Sequence, residues 1–274
     1  MELVTIIMPA NKAETFIERS VQSILNQSYK NWELIIIYDD NVDYFSILKN
    51  QGITDERIKF VSTNKLGIST ARNIGIEIAS GNIIAILDAD DEFDSEKLKC
   101  CVPLTQKNYL VSCALEIRDV NGNNLKYVGN KEQGILQSSR YKNVNYSADN
   151  MILFDKTKIP CYYDEKLSCM EDLEFMLNCF EIIDHTYHFS IPLHKYYKRF
   201  NSVSNNSQSC NKFLIAKKIL LQRLENNFYK FQEKKLENNM INFLQTSINS
   251  ELLFQQALTD DPKILFENII EPLL

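Results

Sequence analysis

Two acidic clusters follow apolar, strand-like runs within the first hundred residues. Asp39 and Asp40 follow residues 34–37, and the run Asp88-Ala89-Asp90-Asp91 follows residues 83–87. Carboxylates beside a buried strand are costly unless water, a metal or a partner satisfies them. Hard oxygen ligands at the spacing of Asp88 and Asp90 suit Mg²⁺ or Mn²⁺ bridging a diphosphate. A solvated turn with an aspartate as helix N-cap would explain such a triplet if it stood alone.

The elements that must position these carboxylates alternate between strand and helix patterns. Short apolar runs predict buried parallel strands at residues 3–8, 34–37, 58–61 and 83–87. Helical spacing of apolar residues predicts helices at 14–26 and 69–79, with Gly81 as C′ residue of the second. This alternation indicates an α/β protein with a doubly wound, mainly parallel central sheet. Ligands of such sheets lie beyond the carboxyl ends of the strands, so both acidic clusters should face one crevice.

The rest of the chain has a looser pattern. Residues 109–118 and 125–128, with Asn121-Gly122 between them, predict a hairpin. A polar connection to about residue 150, a helix at 171–180, a strand at 187–197 and a polar linker at 201–209 follow. We expect a domain over residues 1–205, with halves at 1–110 and 111–205, and a helical C-terminal extension over 206–274.

Composition and charge narrow the class of protein. The 274 residues can bury a full α/β core, and 45% hydrophobic with 24% charged residues is typical of a soluble protein. A net charge of -6 argues against nucleic acid as a partner. Seven cysteines without framework or zinc spacing indicate reduced thiols. No run reaches the roughly 18 apolar residues of a membrane span, and no signal-peptide pattern opens the chain. We therefore expect a cytoplasmic protein.

Several motifs occur in a recognisable order over about ninety residues. They are TIIMPAN at 5–11, SILNQSY at 23–29, residues 34–40, GISTARNIGI at 67–76, residues 79–82 and LDADD at 87–91. Weaker matches at 170–172 and 196–204 extend the pattern. Together they resemble the family-two inverting glycosyltransferases with the A-type nucleotide-sugar fold.

The resemblance implies an activity. The enzyme would move one hexosyl or N-acetylhexosaminyl group from a nucleotide-sugar, a UDP-sugar in our interpretation, to an acceptor hydroxyl. The anomeric carbon would invert, and Mn²⁺ or Mg²⁺ would hold the diphosphate. The acceptor would be a glycan or a lipid-linked saccharide in bacterial surface glycan biosynthesis: lipopolysaccharide, capsule or glycoprotein.

The resemblance also implies how the nucleotide is held. The backbone from Pro9 to Asn11 would line the base, and Asp40 would accept a hydrogen bond from the uracil ring. Arg72 would contact the nucleotide. Asp39 would be structural, since its carboxylate would accept hydrogen bonds from loop amides.

The remaining matches imply the metal site and the catalytic groups. Asp88 would reach the ribose or the metal, and Asp90 would be the main metal ligand. His194 would be a third metal ligand or, alternatively, a hydrogen-bonding core residue. Asp172 would be the general base with Glu171 beside it. Lys198 or Arg199 would neutralise the departing diphosphate.

Departures from the family pattern lie near the nucleotide base. Asn41-Val42 replaces Gly-Ser after the acidic pair, Ala10 replaces an aromatic residue, and Leu66-Gly67 resembles an insertion. The altered loop leaves a non-catalytic, glycosyltransferase-like partner protein as an alternative, against which the intact acids argue. A sugar nucleotidyltransferase or an oxidoreductase is disfavoured, because residues 9–13 contain no glycine to form a phosphate loop.

The C-terminal extension has an uneven charge distribution. Residues 211–235 hold seven Lys or Arg and two Glu, whereas residues 236–274 hold six acids and one Lys. Apolar residues share a helical stripe at Phe213, Leu220, Leu224, Phe228 and Phe231. Such a helix would either touch the inner face of an anionic membrane or pack on its own domain, and we favour packing. A homodimer is left open.

Overall fold

The computed structural model describes residues 1–63, 67–198 and 207–274, with only the backbone for 207–210. The strands are β1 (Val4–Ala10), β2 (Trp32–Tyr38), β3 (Ile58–Ser62), β4 (Ile83–Ile86), β5 (Glu92–Phe93), β6 (Leu110–Arg118), β7 (Asn124–Val128), β8 (Gly134–Gln137), β9 (Ile152–Asp155) and β10 (His185–Tyr197). The helices are α1 (Ile17–Leu25), α2 (Tyr44–Asn50), α3 (Ile68–Ile78), α4 (Lys97–Asn108), α5 (Tyr141–Val144), α6 (Glu171–Ile182), α7 (Ser207–Glu225), α8 (Leu236–Asp260) and α9 (Phe266–Ile270).

The first half of the chain forms a parallel sheet in the order β3-β2-β1-β4. All residues of β1 are buried, as expected for a strand covered on both faces. Helix α3 lies directly on this sheet at Gly75, where an added Cβ would approach Ile7 Cγ2 to 2.6 Å. Strands β1, β2 and β4 therefore end at the same edge of the sheet. Asn11, Asp39 and Asp88 lie just beyond these strand ends.

The second half turns the sheet from parallel to mixed. Strand β9 enters between β4 and β6 and is antiparallel to both. Strand β10 runs parallel to β6 and antiparallel to β5 and β8. The predicted hairpin is present as β6 and β7. The doubly wound α/β fold is confirmed. The first four strands and the β6–β10 pair are parallel, and antiparallel pairs enter with β5, β7, β8 and β9. After the polar connection that ends near residue 150, β9 lies beside β4 and runs antiparallel to it.

The C-terminal segment is helical and packs on the rest of the chain. Leu220 and Leu224 of α7 and Leu236 and Leu244 of α8 are buried. Arg223 of α7 also pairs with Asp164 at 2.6 Å and approaches Glu174 of α6 at 3.4 Å.

The apolar stripe of this segment is shorter than the sequence predicts. Phe228 and Phe231 lie beyond the end of α7 and so do not extend its apolar stripe. None of the helices that the structure describes is long and apolar enough to cross a membrane.

Candidate active site

A crevice of about 570 Å³ opens at the carboxyl ends of β1, β2 and β4. The residues at or after these strand ends and around α3 that line it are Pro9, Asn11, Asp39, Gly67, Arg72, Asp88 and Asp90. Its lining also includes Asp149, Asn150, Glu171 and Asp172. Lys198 and residues of α7, α8 and α9 complete the described lining. The crevice thus brings together most of the side chains that the sequence singles out.

The two aspartates after β2 have different hydrogen-bond partners. Asp40 accepts hydrogen bonds from the backbone N–H of Lys12 and from the Tyr44 hydroxyl at 2.7 Å. Burial alone would raise the pKa of Asp40, but these donors lower it below its ordinary value. Asp39 lines the crevice instead and accepts a 2.7 Å hydrogen bond from the Asn11 side chain. Asp39 also accepts a 3.3 Å hydrogen bond from the Gly67 backbone N–H, as expected for a structural residue. Asp40 thus anchors its loop, whereas Asp39 lines the crevice, and which of the two meets a nucleotide stays a prediction.

Arg72 is buried and joins the two acidic parts of the crevice. One guanidinium nitrogen lies 2.8 Å from Asp88 Oδ1 and another lies 2.6 Å from Glu171 Oε1. The Arg72 side chain is 1% exposed. Burial alone would lower its pKa, and the two carboxylates raise it above the ordinary value. Both end nitrogens of Arg72 are thus engaged with protein carboxylates, whereas we expected a nucleotide contact.

Asp172 lines the crevice from the first turn of α6. Its Oδ2 accepts a 3.0 Å hydrogen bond from the backbone N–H of Asp149. Glu171 also lines the crevice but is held by Arg72. Burial raises the pKa of Glu171, and the charge of Arg72 opposes that rise. The geometry leaves Asp172 better placed than Glu171 to meet a substrate hydroxyl.

His194 lies outside the crevice, on β10. Its Nδ1 is 3.0 Å from Lys97 Nζ, and its Nε2 is 3.4 Å from Asp91 Oδ2. The other Asp91 oxygen accepts from the backbone N–H of Tyr197 at 2.9 Å. Burial holds the pKa of His194 well below its ordinary value. This placement corrects the expectation of a third metal ligand, because both ring nitrogens contact protein groups. Through Asp91, these contacts hold the acidic loop against β10.

Lys198 lines the crevice but already has a carboxylate partner. Its Nζ lies 2.9 Å and 2.7 Å from the two oxygens of Glu267, on α9. Glu267 also accepts a 2.6 Å hydrogen bond from the Ser147 hydroxyl. The alternative phosphate-neutralising residue, Arg199, lies outside the described residues.

Sequence inspection missed another ion pair in the same crevice. Lys142 Nζ lies 2.9 Å from Asp149 Oδ2 and 3.0 Å from the Ser147 carbonyl oxygen. Burial raises the pKa of Asp149 to about 6, against the lowering effect of Lys142. No motif marks these residues, because they lie in the polar connection that carries no periodic pattern.

The donor set near Asp88 and Asp90 is compatible with a divalent metal brought by a diphosphate. In the part of the chain that the structure describes, no group of three or more His, Cys, Asp or Glu side chains is arranged to hold a metal ion. Mg²⁺ and similar ions commonly bind through one or two carboxylates, with substrate phosphates and waters completing the shell. Both Asp88 and Asp90 line the crevice and supply such oxygens.

Comparisons with known proteins bear on the family of the chain. The model of "Glycosyl transferase family 2" matches residues 5–163. An uncharacterized glycosyltransferase of Haemophilus influenzae is 32% identical over 225 residues, which cover 79% of this chain and 85% of that protein. The Escherichia coli protein WfgD, "UDP-Glc:alpha-D-GlcNAc-diphosphoundecaprenol beta-1,3-glucosyltransferase", is 34% identical over 57% of this chain and 61% of its own length. The crystal structure of S. aureus TarS 1–349 in complex with UDP-GlcNAc superposes with a TM-score of 0.70 at 16% identity, over 98% of this chain and 78% of that one.

Proposed function

The chain belongs to glycosyl transferase family 2 and is a glycosyltransferase, and we propose that it moves one hexosyl or N-acetylhexosaminyl group from a UDP-sugar to an acceptor hydroxyl with inversion. One observation supports this most strongly. Asp39, Asp88, Asp90 and Asp172 all line the same crevice, and Arg72 pairs with both Asp88 and Glu171, the neighbour of Asp172. We propose that a donor bound at the strand ends places its anomeric carbon near the Asp172 carboxylate.

The proposed reaction is a single displacement. The acceptor oxygen attacks the anomeric carbon while Asp172 takes the hydroxyl proton, so that a new glycosidic bond forms on one face of the sugar. The bond from the anomeric carbon to the phosphate oxygen breaks on the opposite face, and UDP leaves with the electron pair. Attack opposite the leaving group inverts the anomeric centre. Arg72, through Asp88 and Glu171, holds the donor loop and the catalytic helix in register.

A divalent cation fits this proposal. Asp90 and Asp88 would hold Mn²⁺ or Mg²⁺, which would stabilise negative charge on the departing diphosphate. Lys198, which the resemblance offers for the diphosphate, is paired with Glu267 of α9, so the metal carries the neutralising role in this proposal.

The acceptor we propose is a glycan or a lipid-linked saccharide of bacterial surface glycan biosynthesis. WfgD, by its name, acts on a saccharide linked to diphosphoundecaprenol. A cytoplasmic protein would meet such an acceptor at the inner face of the membrane. The outer side of α7 suits that location, since Ile215 is 60% exposed between the exposed Lys212 and Lys218.

Nucleotide binding and donor turnover test the proposal. UDP should raise the free energy of unfolding by roughly 2.7 kcal/mol at a hundredfold excess over its dissociation constant, and GDP and CMP should raise it less. A panel of UDP-sugars with Mn²⁺ should reveal slow donor hydrolysis that EDTA abolishes. Greater stabilisation by GDP would overturn the UDP assignment. UDP binding without turnover of any sugar would instead favour a non-catalytic partner protein.

Two variants at the start of α6 test the assignment of the base. Asp172→Asn should lower the transfer rate by roughly 10²–10⁴ and leave UDP binding nearly unchanged, because it removes only the proton acceptor. Glu171→Gln should slow transfer less but destabilise the fold more, because it leaves Arg72 short of a buried partner. An active Asp172→Asn enzyme beside a crippled Glu171→Gln enzyme would show that the base was assigned to the wrong residue.

A further inference from the structure

The crevice continues past Asp172 into a part lined by the C-terminal helices. Aromatic side chains line it: Phe243 and Phe254 of α8 and Phe266 of α9. Phe243 and Phe254 are almost fully buried. In the proposed reaction the donor binds at the strand ends, and attack opposite the leaving group requires the acceptor to reach Asp172 from this C-terminal side.

A buried ion pair lies among these rings. Lys217 of α7 and Glu251 of α8 approach to 2.5 Å between Nζ and Oε1, with side chains 3% and 8% exposed. Lys217 Nζ also lies 4.5 Å from the centre of the Phe266 ring. The pair therefore presents an ammonium group and a carboxylate to the crevice against an aromatic surface.

The same crevice contains two further buried pairs of this kind, Lys142–Asp149 and Lys198–Glu267. Burying ion pairs is rarely the cheapest way to stabilise a fold, because the desolvation cost offsets the attraction. Three such pairs around one cavity indicate a ligand that uses them. Among the described residues, each of these three lysines lies beside a carboxylate, so this wall offers both hydrogen-bond donors and acceptors.

We propose that the crevice wall around Lys217, Glu251 and the rings of α8 and α9 is the binding site for an uncharged sugar of the acceptor. Hydroxyl groups of a pyranose both donate and accept hydrogen bonds, which suits a matched ammonium and carboxylate. The C–H faces of the ring are apolar and suit phenylalanine. An anionic sugar would bring an unmatched charge to the Glu251 side. This inference rests on the proposed function, because it assumes that the acceptor meets Asp172.

Sugar binding to the full chain tests the site separately from catalysis. Saturation-transfer NMR would use methyl glycosides of glucose, galactose, mannose, N-acetylglucosamine and N-acetylgalactosamine, with methyl glucuronide and inorganic pyrophosphate as anionic probes, all in the presence of UDP. At least one neutral glycoside should bind, and more tightly than the glucuronide. Glu251→Gln and Lys217→Met should each weaken that binding by about tenfold, the worth of a hydrogen bond to a charged group. UDP affinity should stay unchanged.

Matched variants keep the test decisive. Lys218→Met removes an exposed lysine from the same helix and should leave sugar binding intact. If either single variant fails to fold, the double variant Lys217→Met/Glu251→Leu removes both charges of this pair together and should also lose glycoside binding.

Three outcomes would overturn the proposal. They are no binding by any neutral glycoside, unchanged binding in the variants, and preference for glucuronide or pyrophosphate. Failure to bind UDP or turn over any donor, with glycoside binding intact, would count against the proposed function and leave this site standing.

Discussion

At the residue scale, hydrogen-bond partners separate two aspartates of identical chemistry. The Asp40 carboxylate is occupied by the Lys12 amide and the Tyr44 hydroxyl, whereas Asp39 faces the crevice beside Asn11. Asp39 also accepts a hydrogen bond from the Gly67 backbone N–H at 3.3 Å, but it lines the crevice and Asp40 does not. The same principle separates Glu171, which Arg72 holds, from Asp172.

The aspartate pair yields a test of base recognition. Asp39→Asn should lower UDP affinity by about tenfold, the worth of one hydrogen bond to a charged group, with little change in thermal stability. Asp40→Asn should mainly destabilise the fold, because it weakens the anchors of the Lys12 and Tyr44 segments. Calorimetric titration with UDP and thermal unfolding separate the two effects. Loss of UDP affinity only in the Asp40 variant would restore the assignment expected from the motif.

At the element scale, one buried carboxylate joins several segments of the parallel sheet. Glu33 of β2 accepts hydrogen bonds from Thr5 of β1 at 2.6 Å and from the Ser80 backbone N–H at 2.7 Å, and pairs with Lys59 of β3 at 2.6 Å. Burial alone would raise its pKa, but these donors lower it to about 2. The carboxylate thereby fixes the register of three neighbouring strands.

The low pKa of Glu33 predicts how stability depends on pH. Because the folded pKa lies below the ordinary value of 4.5, the stabilisation is complete above about pH 4.5 and is lost as the pH falls towards 2. Glu33→Gln should therefore be less stable than the parent at pH 6, and the difference should shrink as the pH falls. Urea unfolding at several pH values measures this. Glu56→Gln, at an exposed position, is the control; a constant Glu33 difference at every pH would contradict the linkage.

At the scale of the whole molecule, the C-terminal helices have two different faces. Their inner side packs on the domain and lines the crevice through Lys217, Phe243 and Glu267. Their outer side exposes Ile215 and, beyond α7, Phe228, which are 60% and 61% exposed. The inner face agrees with the packing that we favoured from sequence, and the outer face leaves room for a membrane contact.

Vesicle binding tests the outer face. The chain should bind vesicles rich in phosphatidylglycerol and detach as salt rises, because the lysines of α7 supply a screened attraction. Ile215→Ser with Phe228→Ser should weaken sedimentation with vesicles and leave donor hydrolysis unchanged. Ile135→Ser, at a similarly exposed position on β8, should have no effect. Equal sedimentation of all variants, or none by the parent, would contradict a membrane role for this face.

Local patterns determined the part of the molecule that is built from consecutive residues. Apolar runs and helical spacing located β1, α1, β2, α3 and β4, because burial on both faces of a strand and on one face of a helix imposes a period on the sequence. Strand ends then determined that Asp39 and Asp88 would meet, since parallel strands end at one edge. Short or unpatterned elements escaped detection, notably α2 and β9.

Only the tertiary structure decided which side chains of the site contact each other. Strand β9 joins the sheet by pairing with β4 and β6, which are distant in sequence, so no local period marks it. Arg72 reaches Glu171 across 99 positions, and Lys198 meets Glu267 across 69. Some carboxylates of the site line the crevice, and others pair with a buried cation. Which of the two happens depends on partners that lie far apart in the sequence and meet only in the folded chain. The residue types and their spacing along the chain therefore do not predict those partners.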